Sequence, residues 1–88
     1  MTTDKLHNLR KTIDELDAEV LRALAERFMH VQAVREVKKS AGLPPLDEVR
    51  WQEVIKSRLA LAKELGLPEE FTKKLLALIH ERSLEIEA

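Results

Sequence analysis

The sequence predicts an all-α fold with three helices per chain, one long and two shorter, in a single domain over residues 1–88. A length of 88 residues fits one domain. Apolar residues recur at spacings of three and four, as in amphipathic helices, and no alternating strand pattern occurs. The two Gly and three Pro residues fall at only two places, Gly42 with Pro44-Pro45 and Gly66 with Pro68. These breaks predict helices at about 4–40, 48–65 and 68–87.

The composition excludes several classes of protein. With 15 basic and 16 acidic residues the net charge is -1, and no basic run suggests a nucleic-acid partner. The chain has no Cys, which excludes disulfides and thiolate chemistry. No apolar run approaches the ~18 residues of a membrane span, and no signal peptide is evident, so we expect a cytoplasmic location.

The first predicted helix is too long for a compact monomer. It would extend over ~50 Å, whereas a compact globule of this chain length has a radius of gyration of ~12 Å. Its apolar stripe nevertheless continues along most of it: Leu6, Leu9, Ile13, Leu16, Val20, Leu24, Val31 and Val34. We therefore expect an intertwined homodimer in which the long helices pack together. A simple coiled coil is the alternative, but the two shorter helices have apolar stripes of their own.

Several polar residues fall on these apolar faces. On a helical wheel Arg27 and Lys38 lie within the stripe of helix 1, and Arg10 lies at its edge. Asp47 and Arg50 share a face with a set of apolar residues on helix 2, namely Val54, Leu61 and Leu65. On helix 3, Ser83 falls on the stripe of Leu75, Ile79 and Ile86, and Glu87 lies on its flank.

Inward cations need anions, because an unpaired buried charge is costly. Arg27, Lys38 and Arg50 outnumber the one nearby carboxylate, Asp47, so a ligand with at least two negative charges would balance the set. Arg10 and Arg27 lie ~25 Å apart along one helix and cannot hold the same small molecule. They could do so if Arg10 came from the partner in an antiparallel dimer.

Five segments of the chain resemble the helical chorismate mutase family. They are Leu9–Asp17, Leu24–Arg27, Val37-Lys38, Pro45–Arg50 and Ile79–Ser83, and the resemblance extends from about Leu6 to Glu87. It implies the Claisen rearrangement of chorismate to prephenate for Phe and Tyr biosynthesis, without a cofactor or a metal.

The resemblance also implies roles for the polar residues. Arg10 of the other subunit, Arg27 and Arg50 would hold the two carboxylates of chorismate, and Ser83 would contact a carboxylate. Lys38 would donate to the ether oxygen. Asp47 would accept a hydrogen bond from the ring hydroxyl. Lys38, Glu87 and Arg27 would be the catalytic residues among them.

Two positions depart from the family pattern. The family often has a carboxylate directly after the helix-2 arginine, where this chain has Trp51, so contact with the ring hydroxyl depends more on Asp47. The last site position is commonly Gln and is Glu87 here. A carboxyl donates to the ether oxygen only when protonated, so we expect activity to favour acidic pH.

Three alternatives remain open at the level of the sequence. Isochorismate pyruvate lyase is similar in fold and cations, and Asp47 favours the mutase over it. An aminochorismate mutase is a second possibility. A non-catalytic helical dimerisation or regulatory module would explain the stripes but not the inward cations. His7, His30 and His80 show no metal-ligand spacing and are expected at the surface or flank, and Trp51 is expected to be a packing residue.

Overall fold

A computed structural model of the chain describes residues 2–88, with side chains described from Thr3 onward. Within these residues it contains three α-helices and no strand: α1 (Thr2–Ala41), α2 (Glu48–Glu64) and α3 (Glu69–Glu87). The predicted all-α class is confirmed for this part of the chain, and each helix end lies within about two residues of its predicted position. None of these helices is long and apolar enough to cross a membrane.

The chain divides into two compact units, residues 1–30 and Val31–Ala88. The described part of the first unit is helical, and none of its side chains is buried. Its large apolar residues are 46–58% exposed along one stripe: Leu6, Leu9, Ile13, Leu16 and Val20. The predicted stripe is therefore present as an uncovered apolar surface.

The second unit has a small core in which α2 packs against α3. Val54 and Ala62 of α2 are buried there, as are two hydroxyl residues of α3, Thr72 and Ser83. Buried hydroxyls need hydrogen-bond partners, and both donate to carbonyl oxygens one turn earlier. The Thr72 hydroxyl donates to Pro68 O (2.9 Å) and the Ser83 hydroxyl to Ile79 O (2.8 Å).

Glycine ends both α1 and α2 in the same way. Gly42 has φ 70° and Gly66 has φ 76°, a left-handed conformation that costs glycine little because it lacks Cβ. After α1, Gly42 N–H donates to Lys39 O (3.2 Å) and Leu43 N–H to Lys38 O (2.8 Å). These two bonds form a Schellman motif, which satisfies carbonyls left open at the helix end.

The starts of α2 and α3 also follow from local sequence. Asp47 is the N-cap of α2, as predicted, and its Oδ1 accepts a hydrogen bond from the Arg50 backbone N–H at 3.0 Å. Pro68, expected in the first turn of helix 3, is the N-cap residue just before it, with φ -61°. Both caps fix where the following side chains project.

Candidate active site

The predicted catalytic pair, Lys38 and Glu87, meets within the C-terminal unit. Lys38 Nζ lies 2.6 Å from Glu87 Oε1, and their side chains are 20% and 10% exposed. The same ammonium donates to the carbonyl oxygen of Pro45 at 2.5 Å. The last turn of α1, the loop after it and the last turn of α3 thus converge on one cation.

The Glu87 carboxylate is held mainly by charge. Its Oε1 is buried and accepts no hydrogen bond of regular geometry from the described residues, although the Lys38 ammonium lies beside it. A buried ion pair repays its desolvation only when its remaining hydrogen bonds are satisfied. Glu87 therefore has an acceptor atom that is not fully satisfied, next to the cation expected to act on the substrate.

An open cleft of about 320 Å³ adjoins this cation. Lys38 and Asp47 both line it, and the rest of its wall is mostly apolar and comes from the loop and the start of α2: Leu43, Pro44, Leu46, Glu48 and Val49. An ammonium and a carboxylate on one small cleft can contact a ligand that has both an anionic or ether oxygen and a hydroxyl group.

Arg50 does not face inward within the single chain. Its side chain is 60% exposed, and its guanidinium lies 3.7 Å from Glu53 on the helix surface. In the single chain the buried face of α2 is shifted toward Trp51 and Ala62, while Leu61, on the face predicted for Arg50, stays 51% exposed. Arg50 lies on the outer flank of that face.

Asp47 is exposed as well, although its carboxylate caps α2. The Asp47 carboxylate does not form its contact with the charged end of Arg50. The contact is with the Arg50 backbone N–H, and the guanidinium turns to Glu53. Cap geometry leaves Oδ2, the second oxygen of Asp47, for other partners.

Arg10 and Arg27 belong to the N-terminal unit, where both side chains are exposed. The expectation that Arg27 faces inward is therefore not met in a single chain. The physical reason is that the stripe around it is itself largely uncovered. Ser83, by contrast, is buried as predicted, at 6% exposure.

One contact of the C-terminal unit had no local signal in the sequence. The rings of Trp51 and His80 stack with their centroids 3.7 Å apart and their planes 7° from parallel. Trp51 is a packing residue, as expected, and His80 is half-buried, which fits the expected flank position. Because the two lie on different helices, spacing along the chain does not reveal the pair. Residues 2–88 contain no group of three or more side chains that could hold a metal ion.

Comparison with known proteins gives the family. The family model described as chorismate mutase type II matches residues 9–88. The chain belongs to the chorismate mutase type II family. A chorismate mutase of Methanocaldococcus jannaschii is 31% identical over 84 residues, which are 93% of this chain and 85% of that protein.

A second relative is a longer, bifunctional protein. A bifunctional chorismate mutase/prephenate dehydratase of Aquifex aeolicus is 39% identical over 62 residues, 70% of this chain. The matched part is 17% of that protein. Family membership makes an isomerase of the chorismate mutase class the supported function, and it excludes a merely structural module as the best interpretation.

Proposed function

We propose that this chorismate mutase converts chorismate to prephenate in the cleft beside Lys38, as a step of Phe and Tyr biosynthesis. The observation that supports this most is the meeting of Lys38, Glu87 and the Asp47 cleft in one unit. These residues lie on separate helices and on the loop, yet they are three of the site positions that the family resemblance indicates.

The reaction suits a site built of fixed charges. One carbon–oxygen bond of the ether breaks while one carbon–carbon bond to the ring forms, so no atom is lost and no nucleophile is needed. Folding the enolpyruvyl arm over the ring is a near-attack arrangement that binding can impose. Negative charge develops on the ether oxygen, and a preorganised donor such as the Lys38 ammonium stabilises it.

The remaining residues position the substrate in this proposal. Arg27 and Arg50, with Arg10 of a second chain, hold the two carboxylates, and Ser83 contacts one of them. Asp47 accepts a hydrogen bond from the ring hydroxyl through its oxygen that is free of the helix cap. Glu87 assists Lys38 when it is protonated, because an ionised carboxylate repels the developing charge.

The homodimer is part of the same proposal. The uncovered apolar stripe of the N-terminal unit is the surface on which two long helices would pack. Burial of this stripe by a second copy would also enclose Arg27, which lies along it. Arg10 would then reach the site of the partner. A cytoplasmic location stays a prediction.

The first experiment identifies the product. Purified protein is mixed with chorismate at about pH 5 and about pH 7.5, because a carboxyl donates to the ether oxygen only when protonated, and the product is analysed. We expect prephenate at both. Lys38→Gln should lower kcat by about 10²–10³-fold, as loss of one oxyanion donor does. Lys39→Gln, which changes the exposed neighbour, should match the parent protein.

The outcomes separate the related activities. No turnover by folded, dimeric protein would refute the mutase. Isochorismate would then be tested for pyruvate release and aminochorismate for rearrangement, because the same cations suit both. A Lys39→Gln variant as impaired as Lys38→Gln would show that the loss reflects net charge and not the position of Lys38.

A mixing experiment tests the contribution of Arg10 across subunits. Arg10→Ala and Lys38→Gln are each expected to be nearly inactive. After unfolding and refolding together, half of the dimers contain one chain of each, and one of their two sites is intact if Arg10 acts in the partner. Activity should recover to about a quarter of the parent value. No recovery would place Arg10 outside the partner's site.

A further inference from the structure

The loop after α1 holds Lys38 at both ends of the residue. Leu43 N–H donates to the Lys38 backbone carbonyl (2.8 Å), and the Lys38 ammonium donates to the Pro45 carbonyl. A lysine side chain has four flexible carbons, so an ammonium is poorly placed unless other groups restrict it. Here the same short loop restricts both the backbone and the charged end.

The loop is itself restricted. Gly42 sets the turn with φ 70°, and after one intervening residue, Leu43, two consecutive prolines follow. Each proline fixes its own φ and limits the residue before it, so the backbone from Leu43 to Pro45 has few accessible conformations. The Pro45 carbonyl is thus an acceptor with a fixed direction, next to the cleft lined by Lys38 and Asp47.

We propose that the Pro45 carbonyl is a positioning group for catalysis, because it fixes the direction in which the Lys38 ammonium donates to the substrate. An ammonium has three N–H donors. The Pro45 carbonyl accepts from one and the Glu87 carboxylate faces the ammonium from α3, so the remaining donor is directed away from both. This inference rests on the proposed function, since it concerns the donor that acts on the ether oxygen.

The test weakens this one acceptor. Replacing Leu46 by the α-hydroxy acid with the same side chain, by chemical ligation of the full chain, turns the Pro45–Leu46 amide into an ester. An ester carbonyl is a weaker acceptor, and the Leu46 N–H that is lost makes no backbone hydrogen bond within the described residues. We expect kcat to fall about tenfold while KM changes less than about twofold, as loss of orientation predicts.

The same ester substitution in the Lys38→Gln variant separates an effect on the position of the ammonium from an effect on stability. In Lys38→Gln the ester should cause no further loss of kcat, because the group it positions is absent. An unchanged kcat in the ester protein, or an equal loss in both backgrounds, would overturn the proposal.

A measurement that does not depend on turnover tests the Pro45 contact separately from the proposed function. The ¹⁵N signal of the Lys38 ammonium should be observable in the amide protein, because its protons are protected, and should broaden in the ester. A broadened signal supports the positioning contact even if chorismate is not the substrate. An identical signal in the two proteins overturns it, whereas absence of chorismate turnover by the amide protein refutes only the function.

Discussion

Lys38 and Glu87 show how much of this site depends on a single pair of side chains. The Glu87 carboxylate lies 2.6 Å from the Lys38 ammonium, largely out of solvent, and neutralises the cation that the proposed mechanism uses. In that mechanism the substrate competes with Glu87 for the ammonium. A carboxyl donates only when protonated, so this mechanism predicts a linkage between pH and rate.

Glu87→Gln tests this linkage. The amide donates at every pH, so the variant's kcat should differ by less than about twofold between about pH 5 and about pH 7.5. The parent protein should be faster at the lower pH, because a carboxyl donates only when protonated. The measurement is the initial rate of chorismate loss at saturating substrate across this range.

Glu85→Gln is the matched control for Glu87→Gln. Glu85 is an exposed residue of the same helix and pairs with Arg82 at 3.1 Å. Its variant should keep the pH profile of the parent. Identical profiles for the parent and Glu87→Gln would remove Glu87 from the mechanism.

The polar groups that line the cleft lie at or near helix ends. Asp47 caps α2 and lines the cleft, and the Gly42 motif ends α1 where Lys38 begins to contact the loop. The signals for these features are local, so the sequence alone predicts them: a capping residue, a glycine and two prolines within a few positions. This explains why the helix boundaries and the Asp47 cap could be predicted.

Contacts between elements were much less predictable. Helical periodicity places Lys38 on a face but does not identify Glu87 as the group opposite it, and it gives no signal for the stack of Trp51 on His80. It also does not show which of two adjacent apolar flanks of α2 packs on α3, so it could not predict that the Arg50 side chain is 60% exposed in the single chain. Which flank is buried depends on tertiary packing, which a wheel does not contain.

Asp47 can be tested for its role as the cap of α2. Asp47→Ala removes the cap and should lower the free energy of unfolding by about 1 kcal/mol, whereas Asp47→Asn should keep it, because Asn is an equally good N-cap. Urea unfolding followed by circular dichroism measures this. If both variants are as stable as the parent, the hydrogen bond to Arg50 N–H does not stabilise the fold.

Gly42→Ala tests the turn that precedes the prolines. No atom lies within 4 Å of the position that a Cβ would occupy, so steric contact is not the cost. The left-handed backbone conformation is the cost, and it should lower stability by about 1–2 kcal/mol. Gly66→Ala should behave similarly in unfolding, but only Gly42→Ala should also lower kcat, because it disturbs the loop beside Lys38. Equal kcat values for the two variants would contradict this.

For the molecule as a whole, the exposed stripe of the N-terminal unit is the feature that one chain leaves unexplained. Residues such as Leu9, Ile13 and Val20 are each more than half exposed. Burial of an apolar side chain contributes about 1.5–3 kcal/mol, so covering several of them would drive association strongly. The proposed dimer would cover the stripe, and it would also enclose Arg27, which is exposed in the single chain.

Ile13→Glu should weaken the dimer, because a charge would be buried in the centre of the stripe. Sedimentation at decreasing protein concentration should show monomers at concentrations at which the parent is dimeric, and activity should fall in parallel. Lys11→Glu introduces the same residue on the opposite side of the helix and should leave the dimer intact. A parent protein that sediments as a monomer at every concentration would refute the dimer.

The stack of Trp51 on His80 has a practical consequence. The chain has one Trp and no Tyr, so its indole fluorescence comes from a single site between α2 and α3. Indole emission depends on the groups in contact with the ring, so separation of Trp51 from His80 should change it. Intrinsic fluorescence therefore reports the opening of the α2–α3 pair in unlabelled protein.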